Sequence, residues 1–589
     1  MIKLWSVLPL CVIACLVVGS PVAAAPAPTP AVTPADLHFR QDKLHSRHDT
    51  LRHGTARQAG LLPDRVAELP GIAASYLQPT PDHPGRPTYA GATVLAAHHG
   101  IVVSRFAVGD AVRYGADATG IVELPPEQRV PARTGTRWDL ASISKLFTTI
   151  VVLQQVEAGR VALDAPVAGY VPEFAAGGKE TVTVRHLLTH TSGLPAFRAF
   201  YSLYPTAEQR LAAALTTPVT AGTTPGAQYV YSDIGLIALG VLIERVTGKN
   251  LADAVRDGVT GPLRMRDTGY NPAPELREQT AATEYQPYVG RGVVWGQVHD
   301  ENAWSLGGVV GHAGIFSTAD DLAILCQTLL NGGSYRGRRI LSTAMVRQAL
   351  VNYNADLLPQ YPESARGLGF ELAKHWYMDG MTSPVTFGHT GFTGTSIVID
   401  PLDHSFLILL SNRVHPDRAW GSNNVARRAL ARTFAAAHRI HLPPGAEPWR
   451  TERRDSAVMT LTAPLRRAAG AQARASFLIW YDTEPRLDVA AVESSPDGVT
   501  WAPLPSTLRS GRSVVAGDGT FTGFGGRHWW VATAGVPAGT TQLRFTYRTD
   551  AASQGRGVLI DRVRVIEPGA ILVDGTTALA ADGWTPSPK

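Results

Sequence analysis

Cysteine is nearly absent. The chain has three in 589 residues, and two of them, Cys11 and Cys15, lie in an apolar N-terminal segment. Without that segment only Cys326 remains, so no intramolecular disulfide can form and the fold must be held by packing. Lysine is also scarce, seven residues against a Lys plus Arg total of 54. Charged residues make up 17% of the chain, below the usual quarter, whereas the apolar share of 44% is ordinary and argues against extended disorder. The net charge of +5 is spread along the sequence with no Lys/Arg block, which excludes a nucleic-acid-binding patch and leaves at most an attraction to an anionic envelope. Beyond the N-terminus no run reaches the ~18 apolar residues needed to span a membrane.

That N-terminal segment has one positive charge at Lys3, an apolar stretch from Leu4 to Val18, and Val22-Ala23-Ala24 ahead of Ala25. This is the pattern of a secretory leader cleaved after Ala24, which predicts an exported, secreted or envelope-associated protein. The competing pattern is Val12-Ile13-Ala14-Cys15, a lipoprotein box that would anchor the chain at Cys15. The length predicts two or more domains. The boundaries expected are a leader over 1–24, a Pro/Ala-rich linker and polar segment over 25–60, a catalytic-type domain over 61–440, a linker over 441–454, a β-sandwich over 455–570 and a tail over 571–589.

The stretch that carries the chemistry is Ser142-Ile143-Ser144-Lys145 and the apolar residues after it. On a helix, residues three apart share a face with Cβ atoms roughly 5–6 Å apart. The run to Gly159 is apolar around most of its circumference, so the helix it forms is expected to be buried. Desolvation favours the neutral amine, and a neutral amine beside a hydroxyl is a general base beside a nucleophile. The tetrapeptide alone is common; its position in the most apolar run of the mature chain, in a lysine-poor sequence, is what draws attention.

Other features follow in order. Paired strands are expected at Ala92–Ala97 and Gly100–Ala107. His190, in a Gly/Pro-broken helix end, is a candidate base, although a histidine in such a turn more often fastens the loop. Tyr231 and Asp233 stand just ahead of an apolar helix from Ile234 to about Val246, whose positive end favours a phenolate or carboxylate. His299, Asp300, Glu301 and His312 sit among dense glycines with a spacing that fits no zinc helix motif, so tight loops packed on a site are expected rather than a metal. A helix over 321–330 is capped from Ser317-Thr318, and a hairpin joins Ile397–Asp400 to Ser405–Ser411.

Three blocks in order, Ser142-Ile143-Ser144-Lys145, Tyr231-Ser232-Asp233 and His389-Thr390-Gly391, resemble the motifs of the penicillin-recognising serine hydrolases. The nearest branch is the class C β-lactamase-like group that also holds D-alanyl-D-alanine carboxypeptidases and esterases. Leu187-Leu188-Thr189-His190-Thr191-Ser192-Gly193-Leu194 and Gly311-His312-Ala313-Gly314-Ile315-Phe316-Ser317-Thr318 look like the same branch. The resemblance implies an α+β (α/β) β-lactamase-like fold, an antiparallel sheet flanked by helices with an all-helical subdomain. It implies catalysis by Ser142, Lys145 and Tyr231 and an oxyanion hole from the backbone of Ser142 and of Phe392 on the strand after His-Thr-Gly. It also implies substrate contacts from Asp233, His389, Thr390 and Gly391, and no metal or cofactor. The substrate implied is a peptidoglycan-type peptide or a small ester, with weak β-lactamase action as a further alternative. A reading of another class is a catalytically weak cell-wall-binding protein; the intact Ser142, Lys145 and Tyr231 speak against it.

Two positions depart from the family. His389 stands where the family has a lysine, and a histidine is largely neutral above its reference pKa of about 6.5. Asp233 stands where the family has an amide, and a carboxylate beside Lys145 favours the protonated amine, which shifts the base role toward Tyr231. After Pro443-Pro444-Gly445, alternating strands such as Ala475–Tyr481 and Leu543–Arg548 predict an all-β sandwich. It resembles the jelly-roll modules of secreted bacterial metallopeptidases, with His528-Trp529-Trp530 either a carbohydrate platform or core aromatics.

Overall fold

The computed structural model describes residues 32–39, 50–575 and 578–587. The expected leader, its Ala24 cleavage site and the alternative anchor at Cys15 lie outside the described residues. Among the described residues no helix is long and apolar enough to cross a membrane.

A mixed eight-stranded sheet underlies the site. Its main strands are β1 (Arg52–His53), β2 (Gly91–His98), β3 (Ile101–Val112), β4 (Glu371–Leu372), β5 (Phe387–Thr390), β6 (Ser396–Asp400) and β7 (Ser405–Ser411). They lie in the order β1-β3-β2-β7-β6-β5-β4, with Val130–Pro131 on β3 as the eighth strand. Only β1 runs parallel to its neighbour.

Every residue of β6 and β7 is buried, because helices cover both faces. On one face lie α2 (Ser144–Glu157), α3 (Asp233–Thr247) and α4 (Ala319–Leu330); on the other, α1 (Pro63–Ser75) packs on α5 (Asn424–Ala437). Strand alternation divides the hairpin between two cores: Ile397, Ile399, Phe406 and Ile408 join the α2 side, while Val398, Leu407 and Leu409 join the α1 side.

Helix α2 is buried without interruption from Ser144 to Leu153. Each large apolar side chain buried there contributes about 1.5–3 kcal/mol, which is what holds the helix in place despite its β-branched content. Gly248, in the left-handed conformation, ends α3, and the Thr318 side chain caps α4 by accepting from the Asp321 amide. Both signals were visible in the sequence.

The folded part begins earlier than the expected boundary at 61. Arg52–His53 pairs with Ile101–Val102, and Leu37 and Phe39 are buried in the main core. A two-residue parallel strand is made by backbone hydrogen bonds and leaves no side-chain periodicity to read.

The C-terminal part is two packed sheets. Its strands include β8 (Trp449–Thr451), β9 (Val458–Pro464), β10 (Arg474–Asp482), β11 (Val489–Ser495), β12 (Trp530–Gly535), β13 (Gln542–Arg548), β14 (Gly557–Glu567), β15 (Ala570–Asp574), β16 (Ala580–Asp582) and β17 (Trp584–Pro586). One sheet holds β12-β10-β14-β8-β17 in sequence, the other β11-β13-β9-β16. They enclose a core of Phe477, Val492, Trp530, Phe545 and Trp584. The expected linker over 441–454 and tail over 571–589 are therefore corrected: β8 and β15 to β17 are strands of the sandwich.

The two parts are joined by buried charges. Arg527 reaches Asp400 at 2.6 Å and Asp403 at 3.0 Å on the β6–β7 hairpin. Arg556 pairs with Asp403 and donates to the Gly380 carbonyl at 2.9 Å. From the other side, Arg432 of α5 pairs with Asp379 at 2.9 Å and donates to the Ala552 carbonyl at 2.7 Å. Trp530 is a core residue, and the half-buried Trp529 donates its indole N–H to the His441 carbonyl at 2.9 Å.

Candidate active site

The nucleophile motif begins with a hinge. Asp139 is buried, and its two carboxylate oxygens accept from the Ala141 amide at 2.8 Å and the His299 amide at 2.6 Å. This fixes Ala141 in the left-handed region, φ 46°, a conformation that alanine rarely holds unless its surroundings impose it. Ser142 follows on a single 3-10 turn, Ala141–Ile143, and α2 starts only at Ser144. The serine thus lies on the turn entering the helix, and its side chain lines a cavity of about 420 Å3.

Lys145, 1% exposed, has three oxygens around its amine. It donates to Ser142 Oγ at 2.7 Å and to the His312 carbonyl at 3.0 Å, and forms an ion pair with Asp233 Oδ1 at 2.8 Å. Its Nζ also lies 5.0 Å from the centre of the Tyr231 ring. Burial pushes the amine pKa down, but the Asp233 carboxylate and the Tyr231 phenol outweigh that, and the net direction is up. Burial lifts the Tyr231 phenol, Lys145 pulls it down and Asp233 lifts it again; the net direction is also up. The expectation that Asp233 hands the base role to Tyr231 is only half met, because the same carboxylate holds the proton on both groups.

Dense glycines bring the wall of the site close. A Cβ on Gly311 would stand 2.1 Å from the Leu236 carbonyl of α3, so only glycine lets this loop lie flat on the helix and offer the next carbonyl, that of His312, to Lys145. The acidic and histidine groups nearby pair among themselves. His299 meets Glu284 at 2.8 Å, His312 meets Asp300 at 2.9 Å, and Arg418 pairs with Glu284 and Glu301 at 2.5 Å each.

His190 fastens its loop. Its Nδ1 accepts from the Ser232 amide at 3.0 Å and its carbonyl accepts from Val230 at 3.0 Å, which sets the Tyr231-Ser232-Asp233 segment against the site. Burial, with Arg366, Lys145 and His389 nearby, holds its pKa well below the ordinary value, so the ring is neutral.

His389, on β5, is 1% exposed. Its Nδ1–H donates to the Thr390 carbonyl at 2.7 Å and its Nε2 faces Arg366 Nη1 at 3.5 Å. Burial pushes its pKa to about 4, with Glu371 opposing and Arg366 and Lys145 adding to the effect. This histidine is therefore neutral at ordinary pH and lends no charge.

Positive charge in the cavity comes from residues the motifs did not reveal: Arg366, Lys374, Arg413 and Arg427 line it, and Arg366 lies nearest His389. Arg366 is 2% exposed; it donates to Glu371 Oε1 at 3.0 Å and to the Tyr229 hydroxyl at 3.2 Å, and its guanidinium lies 5.2 Å from the Tyr231 ring centre. Burial opposes its charge, but Tyr229 and Glu371 outweigh it, and the pKa moves up. Glu371 is on β4, opposite Gly388 of β5, so sheet pairing across 23 residues of chain places Arg366 beside His389. Its only signal in sequence is indirect: a neutral residue at 389 calls for a cation from elsewhere.

Thr390 and Gly391 line the cavity with Ser142 and Tyr231. Phe392 is corrected from a strand position to the turn after β5. A Cβ on Gly391 would stand 2.3 Å from the Leu140 carbonyl and 2.1 Å from Thr395 Oγ1, so the chain folds tightly there against the segment leading to Ser142. Arg413 donates to the Phe392 carbonyl at 2.7 Å, and buried Arg427 donates to the carbonyls of Gly391 at 2.9 Å and Thr395 at 2.8 Å. The turn is thereby held, and among the described residues the Phe392 amide has no acceptor of its own.

Residues 82–432 match the family described as Beta-lactamase. The chain belongs to the beta-lactamase family. It is a serine hydrolase of the beta-lactamase-like fold. Over 358 residues, 56% of this chain and 79% of the relative, it is 34% identical to an Escherichia coli K12 protein named "Putative D-alanyl-D-alanine carboxypeptidase". A protein of the same name from Salmonella agona is 32% identical over 357 residues, 56% of this chain and 79% of its own. Among solved structures, EstCE1, a hydrolase with promiscuous acyltransferase activity, superposes with a TM-score of 0.49 at 21% identity, over 63% of this chain and 99% of its own.

Proposed function

We propose that this serine hydrolase acts outside the cytoplasm as a D-alanyl-D-alanine carboxypeptidase-type peptidase on peptidoglycan peptides, through an acyl-enzyme on Ser142. The observation that carries the reading is the buried Lys145 amine 2.7 Å from Ser142 Oγ, beside a cavity lined by the cations Arg366, Lys374, Arg413 and Arg427. The relatives named as D-alanyl-D-alanine carboxypeptidases support the substrate class; the leader pattern supports the location.

In the resting site Lys145 is protonated and donates to Ser142 Oγ, so the Lys145–Tyr231 pair must first lose a proton. The serine then attacks the peptide carbonyl and gives its proton to that pair. The backbone N–H groups of Ser142 and Phe392 take the developing oxyanion, an interaction typically worth about 3–4 kcal/mol. The pair returns the proton to the leaving amine, the C–N bond breaks, and water hydrolyses the acyl-serine by the reverse relay. The C-terminal carboxylate of the substrate is drawn to Arg366, because a guanidinium stays charged at any working pH.

The test is product analysis on a stem peptide ending in D-Ala-D-Ala beside a short-chain ester lacking a carboxylate. Release of D-alanine by the wild type and its loss in Ser142→Ala supports the proposal. Ester turnover without D-alanine release makes the protein an esterase instead, and wall binding without turnover of either substrate makes it a receptor.

A further inference from the structure

A cleft of about 820 Å3 lies where the two parts of the chain meet, on the α1–α5 side of the sheet and so away from the α2 face. Its walls come from the first turn of α1, the connector after α5, and β8 of the sandwich. Arg450 of β8 is opposite Leu559 on one neighbouring strand and Thr585 on the other, and all three line the cleft. Cross-strand partners share a face, so this register aims Arg450 inward.

Arg65 and Arg453 line the same cleft. Among the described residues neither Arg450 nor Arg453 has a carboxylate within ion-pair distance; Arg453 makes only a 3.5 Å contact to the Arg432 carbonyl. The carboxylates on the walls are largely engaged: Glu68 holds Arg65 at 2.9 Å and Glu452 pairs with Arg454, leaving Asp64 at the exposed rim. Burial pushes the Arg450 pKa down to about 10, and Arg65 and Arg556 push it the same way; Arg453 is lowered by burial, by Arg450 and by Arg65. Arg450 is half-buried and Arg453 exposed; two guanidiniums facing one cleft without carboxylate partners repel each other, and an anion entering the cleft relieves that.

We propose that this cleft is a binding site for the phosphate or phosphodiester groups of a soluble polyanion, held by Arg450 and Arg453 with Arg65 at the entrance. Guanidinium forks match the oxygens of phosphate, and the four arginines of the lining, Arg65, Arg439, Arg450 and Arg453, suit a group with more than two acceptor oxygens. The sandwich then has a definite role: it supplies Arg450 and Arg453, two of the four arginines of the lining, while the ion pairs of Arg527 and Arg556 hold it against the catalytic part.

Titration calorimetry and ligand-induced change in melting temperature, in phosphate-free buffer, test this on the full chain with poly(glycerol phosphate), inorganic phosphate, polyglutamate and anionic vesicles as separate probes. The phosphate polymer is expected to bind, and its affinity to fall between about 50 mM and about 200 mM salt. The double variant Arg450→Gln/Arg453→Gln is expected to weaken binding by at least about tenfold, through the loss of two charge-assisted contacts. Arg65→Gln, on the exposed surface of α1, is a second variant that leaves the fold untouched and should also weaken binding. Hydrolytic activity should be unchanged in both variants. Unaltered binding in correctly folded variants, binding of polyglutamate as tight as that of the phosphate polymer, binding to vesicles alone, or no binding by any probe would each overturn the proposal.

Discussion

Replacing Asp233 with Asn removes the carboxylate 2.8 Å from Lys145 Nζ and restores the amide that the family motif carries. At that separation two unit charges attract by about 6 kcal/mol at an effective dielectric constant of about 20. Not all of this appears as a pKa change, because the asparagine oxygen still faces the amine and the Asp233 side chain is 21% exposed. An opposite charge at contact distance favours the charged amine, so the apparent pKa of the Lys145–Tyr231 pair is expected to fall when Asp233 is removed. Both members should fall together, since Asp233 raises each of them. The pair must be deprotonated to act, so kcat/KM rises with pH up to its apparent pKa, and that value belongs to the pair. Lowering it moves the acidic limb to lower pH; on the limb, the variant should exceed the wild type by on the order of 10- to 100-fold. A pH profile of kcat/KM on one uncharged ester for both proteins reads this directly. The substitution also removes an anion from the first turn of α3, which costs about 0.3–1 kcal/mol of stability and shows only in the melting temperature. A limb that stays in place, or moves to higher pH, would refute the assignment of Asp233 as the group that holds the proton on the pair.

Arg366→Gln should raise KM for a D-Ala-D-Ala peptide by about 10- to 100-fold, the loss of a charge-assisted contact, while KM for a neutral ester changes little; equal losses on both substrates would assign Arg366 to scaffolding. Desolvation pushes the buried His389 and His415 and the half-buried His375 to about 4. Between pH 6.5 and 4 the unfolded chain binds protons at these rings and the folded chain does not, so stability falls as pH falls through that window, by up to about 3 kcal/mol per ring; a melting temperature flat from pH 7 to 4.5 contradicts this. Arg527→Gln removes one of the two arginines that Asp400, Asp403 and Asp482 share, leaves Arg556 as their sole common cation, and should destabilise the protein by about 3–5 kcal/mol in denaturant unfolding.

What was legible in the sequence and what was not divide along a physical line. Helix α2 was legible because it is apolar on every side, and the ends of α3 and α4 because Gly248 and Thr318 act locally. The hairpin of β6 and β7 was legible from two apolar runs and a short turn. The neutrality of His389 was foreseen in direction from its side-chain type, but burial drives it further than the reference value implies. Arg366 was not legible, because its place beside His389 depends on the β4–β5 pairing, and no local pattern encodes that distance. The turn at Phe392 escaped for a related reason: Gly391 reads as strand-compatible until the Leu140 carbonyl is packed against it. The sandwich was readable by alternation, but β8 and the last three strands are short, and their membership rests on edges that only the folded sheets supply.

The central claim is that Ser142 is the acylated residue, and intact-protein mass spectrometry after brief exposure to a fluorophosphonate or a slowly hydrolysed β-lactam tests it most directly. The account predicts one adduct per wild-type chain, mapping to the peptide containing Ser142, with no adduct on Ser142→Ala and slow formation on Lys145→Met. An adduct of the same mass and rate on Ser142→Ala would contradict it.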